Sequence, residues 1–169
     1  MVRDTPARES EIERLLGPSR WIDLRGSGTS KWCPEEGRVV LEMLKQLAES
    51  ELESPDIFVI SPFRVVRTEM RDLVRRNQSA FSRWSENMRS WTNDRIGTIH
   101  TFQGREAEAV ILLLGAPNAE QIGARNWAGG RPNLLNVAAT RAKSAFYVVG
   151  SRQLWKQSGC FGRLDYLLT

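Results

Sequence analysis

Cysteine and histidine are scarce: Cys33, Cys160 and His100 are the whole supply in 169 residues. Without a CxxC pair they offer neither a zinc ligand set nor a disulfide framework, and each thiol reads as buried or idle. No run reaches the roughly 18 apolar residues that a membrane span requires, and Met1-Val2-Arg3-Asp4 opens no signal peptide. A cytoplasmic chain with no membrane partner is expected. A Gly-x-x-x-x-Gly-Lys-Ser/Thr phosphate loop is also missing. The nearest segment, Gly26-Ser27-Gly28-Thr29-Ser30-Lys31, has no glycine before the lysine, and Trp32 stands where a magnesium-binding hydroxyl is needed. Neither residues 57–60 nor 110–114 end in the acidic pair that would hold a metal.

What is present is the composition of one globular domain. Hydrophobic residues make up 41% and charged residues 26%, enough for a core without covalent staples. A net charge of +4 permits a nucleic-acid partner without specifying one. Its distribution is more telling. Residues 61–105 hold nine Arg against four Asp or Glu, interleaved with Phe63, Phe81, Trp84, Trp91 and Phe102. Guanidinium beside aromatic rings suits phosphate contact and base stacking, although a solvated helix face has the same composition.

Residues 1–18 are charged, lack a clear apolar period, and read as a leader or interdomain segment ahead of a domain over 19–169. Apolar runs at 21–24, 57–60, 96–99, 109–114 and 145–149 predict five strands. After Pro34-Glu35-Glu36, the spacing of Val39, Val40, Met43, Leu44 and Leu47 predicts a helix. Val65, Val66, Met70, Leu73 and Val74 predict another, with Arg64, Arg67, Arg71 and Arg75 on its outer face. Residues 133–143 read as a third helix, and Ser151 caps a short one through Trp155. Residues 77–94 and 117–132 read as irregular connections. Buried-type strands alternating with amphipathic helices predict an α/β fold with a mostly parallel sheet covered on both faces. Such sheets bind ligands beyond the C-terminal ends of their strands, where residues 61–67, 100–106 and the approach to Arg141 are expected.

Two segments go beyond fold-level pattern: Gly97-Thr98-Ile99-His100-Thr101-Phe102-Gln103-Gly104-Arg105-Glu106 and Asn133-Leu134-Leu135-Asn136-Val137-Ala138-Ala139-Thr140-Arg141-Ala142-Lys143. In order and spacing they resemble motifs V and VI of superfamily 1 helicases, in particular the subgroup holding the RNA-surveillance helicase and the nuclease-helicase of DNA replication. Ile60-Ser61-Pro62-Phe63-Arg64-Val65-Val66-Arg67 resembles that group's motif IV. The resemblance implies the second RecA-like domain of such an enzyme, a three-layer sandwich containing only half of an ATP site. It implies Arg141 as the motif VI arginine finger and Arg67, or Arg64 in its place, as a motif IV arginine drawn to the same γ-phosphate; the group often carries Gln where Val66 stands. Glu106 would hold the nucleotide ribose, and Gln103 and Gly104 would form the turn linking nucleotide to nucleic acid. Thr98, His100 and Thr101, with Ser61 and Pro62, would meet the backbone of single-stranded DNA or RNA. ATP with magnesium is the implied cofactor, the metal being held by a first RecA-like domain of the same longer chain, so that this segment alone is inactive. The rival expectation is a stand-alone single-strand-binding module without motor activity.

Overall fold

Aliphatic and β-branched runs build the centre of the molecule, because a strand buried on both faces has no polar side to show. The computed structural model describes residues 10–168, so 1–9, half of the segment read as a leader, lie outside the described residues. The remainder of that segment is mostly helical. Glu11–Leu16 (α1) is capped by Ser10, whose hydroxyl accepts the Glu13 N–H at 3.0 Å, and it places Ile12 and Leu16 in the core.

Five strands follow: Arg20–Asp23 (β1), Ile57–Ile60 (β2), Ile96–Gly97 (β3), Ala107–Leu113 (β4) and Ala142–Gly150 (β5). They form one sheet in the order β1-β5-β4-β2-β3, and every pairing is parallel. The first helices are Pro34–Glu49 (α2), Arg64–Arg76 (α3) and Met88–Arg95 (α4). After β4 come Ile122–Gly129 (α5) and Pro132–Thr140 (α6), and after β5 Arg152–Trp155 (α7) and Phe161–Leu167 (α8). The connections through α2 and α3 step one way across the sheet, and that through α5 and α6 steps back. Right-handed crossovers therefore set α2 and α3 on one face and α5 and α6 on the other. This is the α/β sandwich expected.

Two expected irregular stretches are partly helical. In residues 77–94, Phe81, Trp84, Met88 and Trp91 fall three or four residues apart, which is helical spacing. Their rings pack at centroid distances of 5.0 Å and 5.1 Å, and Asn87 starts α4 by accepting the Ser90 N–H. Trp84 and Trp91 thus belong to the core. In residues 117–132, the buried Arg125 donates to the carbonyls of Ala116, Asn118 and Ala119 and so anchors α5 to the turn before it. Gly123, Gly129 and Gly130 sit inside or at the end of that helix. Two strand lengths also differ. β3 stops at Gly97 because Thr98 and Thr101 cap a 3₁₀ turn, and β5 begins at Ala142, paired with Ala107, so α6 ends before it.

Candidate functional site

The register separates the expected site residues into two groups. Ile60 of β2 pairs with Gly97 and with Leu112, so Ser61 and Thr98 emerge side by side at the C-terminal end of the sheet. Ala107 of β4 pairs with Ala142, and the Ala107 N–H donates to the Arg141 carbonyl at 2.8 Å. Glu106 and Arg141 thus enter neighbouring strands together at the N-terminal end. From Ala107 to Leu112 is about 16 Å at the usual rise per residue. The expectation that all three segments gather beyond the C-terminal ends is therefore corrected. It holds for 61–67 and 98–101 and fails for Glu106 and Arg141, because each of these lies before its strand.

At the C-terminal end, Ser61 is buried, its N–H donating to the Gly97 carbonyl at 2.9 Å and its hydroxyl accepting the Phe63 N–H at 3.2 Å. Pro62 is also buried but lines the cavity described below. The neighbouring turn is a reciprocal capping box: Thr98 accepts the Thr101 N–H, and Thr101 accepts the Thr98 N–H at 3.2 Å. Each hydroxyl accepts one bond and keeps its O–H to donate, which suits an anionic backbone. Gly97 has to be glycine, since a Cβ there would run into the Thr101 side chain. His100 is exposed beside them.

Pro62, Thr98 and His100 line one side of a cavity of about 670 Å³, completed by Phe63, Ile99, Trp127 and Leu134. Lys31 and Arg64 stand on its rim, and among the described residues no Asp or Glu lines it. The Lys31 ammonium lies 5.3 Å from the centre of the Phe63 ring. Sequence reasoning passed over Lys31, which was set aside with the failed phosphate loop. It read Trp127 as part of a loop, with packing preferred to base stacking.

The arginines of α3 divide by partner. Arg71 donates to the Ile96 carbonyl at 2.7 Å and Arg75 to the Thr92 hydroxyl at 2.8 Å, so both stitch α3 to the α4–β3 segment. Arg64 is exposed at the start of the helix. Arg67, a turn further on, is half-buried, and its Nε is buried without a hydrogen-bond partner. One turn brings Arg67 back by only about 5 Å, so the fold does not bring Arg67 and Arg141 together.

At the N-terminal end, Arg141 ends α6 and is half-buried, and its Nε likewise has no partner. Among the described residues no ion pair involves Arg64, Arg67 or Arg141. Glu106 is exposed. Its neighbour Arg105 is structural, with its guanidinium 5.0 Å from the Phe58 ring centre and bonded to Asp94 at 3.0 Å. Gln103 and Gly104 are exposed on the segment joining the two ends. Gly104 has φ +73°, the left-handed region, with open space where a Cβ would point, so conformation and not crowding calls for glycine. Phe102 stacks on Phe58 at 4.2 Å and ties this segment to the sheet.

No three His, Cys, Asp or Glu side chains among the described residues form a metal-binding group, and no helix is long and apolar enough to cross a membrane. The donor set therefore suits ribose hydroxyls and phosphate oxygens but does not fit magnesium.

A parallel five-stranded sheet with helices on both faces and polar groups at both strand ends is a RecA-like fold of the P-loop nucleoside triphosphatase class. The chain belongs to the AAA domain family, whose model matches residues 11–153, and it is a superfamily 1 helicase domain. It is 29% identical over 140 residues to the regulator of nonsense transcripts 1 homolog of Drosophila melanogaster, covering 79% of this chain and 11% of that protein. It is 26% identical to the mouse RNA helicase Mov10l1, over 82% of this chain and 11% of that protein. With the DNA polymerase alpha-associated DNA helicase A of Saccharomyces cerevisiae the identity is 25%, over 92% and 22% respectively. The chain thus spans about a tenth to a fifth of the length of these relatives.

Proposed function

We propose that this chain is the second RecA-like motor domain of an ATP-dependent helicase, acting on single-stranded DNA or RNA. In this reading its two ends do different work. The N-terminal end of the sheet closes on a nucleotide held by another RecA-like domain, and the C-terminal end holds the strand. The observation that carries the reading is that Glu106 and Arg141 stand directly before the paired residues Ala107 and Ala142 on adjacent strands, both reachable from solvent and neither in an ion pair among the described residues.

The chemistry follows from the groups. Arg141 is permanently charged and presents a planar fork of donors, so it can meet the charge that develops on a γ-phosphate during transfer. Glu106 can accept two ribose hydroxyls. The phosphate loop and the metal-holding acids are assigned to the partner domain, and ATP with magnesium is bound only when both are present. Arg141 is the one guanidinium placed at the phosphate. Arg64 and Arg67, on the other end, are assigned with Thr98, His100 and Thr101 to the strand backbone. The segment from Thr98 to Glu106 runs between the two ends, so a shift of Glu106 as the cleft closes on the triphosphate is passed through Gln103 and Gly104 to the strand side. Differential contact with triphosphate and diphosphate supplies the two states. Relatives named as an RNA helicase and as a DNA helicase support the class of substrate and leave both nucleic acids within it.

The strand-binding half is tested on the chain itself. It is expected to bind a short single-stranded oligonucleotide with an affinity that falls steeply with salt. Arg64→Ala should reduce the salt slope by about one phosphate contact. Fluorescence anisotropy at several salt concentrations measures both. An unchanged slope removes Arg64 from the strand.

A further inference from the structure

We infer that the cavity at the C-terminal end of the sheet receives one unstacked base of the bound strand, with Trp127 as its stacking platform. The inference rests on the single-strand reading above and adds a residue that neither the motifs nor the comparisons assign.

Trp127 is the one tryptophan among the six that is exposed, at 47% of its surface, whereas Trp21, Trp84, Trp91 and Trp155 are buried and Trp32 is half-buried. Holding a large ring in water at the mouth of a formed cavity is unfavourable unless something covers it. The Arg131 guanidinium lies 4.6 Å from the centre of the indole, and the Phe63 ring lies 6.2 Å away at a tilt of 31°. Trp127 is thus flanked by a cation and a second aromatic ring, and it is presented by α5, which Arg125 pins to the turn after β4. An aromatic face that is rigid, partly exposed and flanked by a guanidinium is what base stacking uses.

The surroundings select a nucleic-acid base over an apolar protein segment. Lys31, Arg64 and Arg131 bring positive charge to the cavity mouth, while among the described residues no carboxylate lines the cavity to balance it. Thr98 also faces the cavity and belongs to the capping box whose hydroxyls keep their O–H donors. A strand whose phosphates cross this turn has its bases at the cavity mouth, and a base that turns inward meets Trp127. The cavity volume of about 670 Å³ lies inside the range of roughly 300–1,000 Å³ common for ligand sites.

The test uses the 169-residue chain, oligothymidylate, oligouridylate and an abasic oligomer of the same length. Trp127→Ala is expected to weaken binding of a base-bearing strand about tenfold while leaving the abasic strand within about twofold, and Trp127→Phe should retain most of the affinity. The wild-type chain should lose indole fluorescence on binding the base-bearing strand, and the Trp127→Ala chain should not. Either base-bearing strand satisfies the inference, and the tighter of the two identifies the source of the base. If the wild-type chain binds base-bearing and abasic strands equally, or Trp127→Ala binds like wild type, the stacking site is wrong and the backbone-binding reading survives. If the folded wild-type chain binds no strand, that reading fails and the stacking site goes with it.

Discussion

Arg141→Ala, made in the two-domain ATPase that the proposed function requires, is expected to lower turnover by about 10³- to 10⁵-fold and to leave ATP affinity nearly unchanged. The size follows from when the contact matters. A guanidinium aimed at a phosphoryl group in flight meets more charge in the transition state than in the bound substrate, so its loss falls on kcat and not on binding. Arg141 has the properties this needs. It is held at the junction of α6 and β5 by its own N–H to the Val137 carbonyl at 3.1 Å and by its carbonyl, which accepts the Ala107 N–H. Its side chain has a buried Nε without a partner. Arg141→Lys should restore little, because an ammonium supplies a point charge without the planar fork. Single-turnover hydrolysis alongside equilibrium binding of an ATP analogue separates the two quantities. A variant that turns over ATP at the wild-type rate removes Arg141 from the nucleotide.

The second large effect concerns stability. Glu36 sits in the first turn of α2 and is 1% exposed. One carboxyl oxygen accepts the Gly115 N–H at 2.8 Å and the other has no partner. Burial pushes its pKa up from 4.5 to about 7, against the lowering effect of the Gly115 bond. Because the folded value is raised, the native state favours the protonated form. That stabilisation is fully present below about pH 4.5 and is lost as pH rises through about 7. Its order of magnitude is about 3 kcal/mol between those limits. Glu36→Gln keeps an acceptor for Gly115 and cannot ionise, so its unfolding midpoint should change less between pH 5 and pH 8 than that of the parent chain. Paired urea titrations at the two pH values measure the difference directly. Equal pH slopes in variant and parent would show that folding does not raise the pKa of Glu36.

The sheet was legible because its central strands, β2, β4 and most of β5, are apolar on both faces. The helices on its two sides announced themselves through period, Pro34 and Ser151. Helical stretches escaped where the signal was split or masked. The apolar positions of α4 and the turn before it are broken by polar residues at 82–87, and α5 carries Gly123 and ends at Gly129. The motifs identified Glu106 and Arg141 as residues of one kind of site, yet sequence order could not show which end of the sheet they reach. That depends on register: β3 is two residues long and β4 starts well below it, so the connecting segment travels the length of the strands before Glu106. The same geometry assigned Arg71, Arg75 and Arg105 to packing although they share the composition of Arg64. The nearness of Trp127 and Lys31 was hidden for a different reason. They are far apart in sequence, and only the packing of the loop after β1 against α5 brings them to one cavity.

If this chain contributes half of a nucleotide site, its own ATPase rate must show it. With near-ultraviolet circular dichroism showing a folded chain, and with saturating magnesium, ATP and single strand, hydrolysis is expected to stay at the spontaneous rate. Joining the chain to a domain that carries a phosphate loop and a metal-holding acidic pair should bring turnover into the range of roughly 1–1,000 per second typical of enzymes, dependent on Arg141. Turnover at that level by the 169 residues alone would contradict the half-site account.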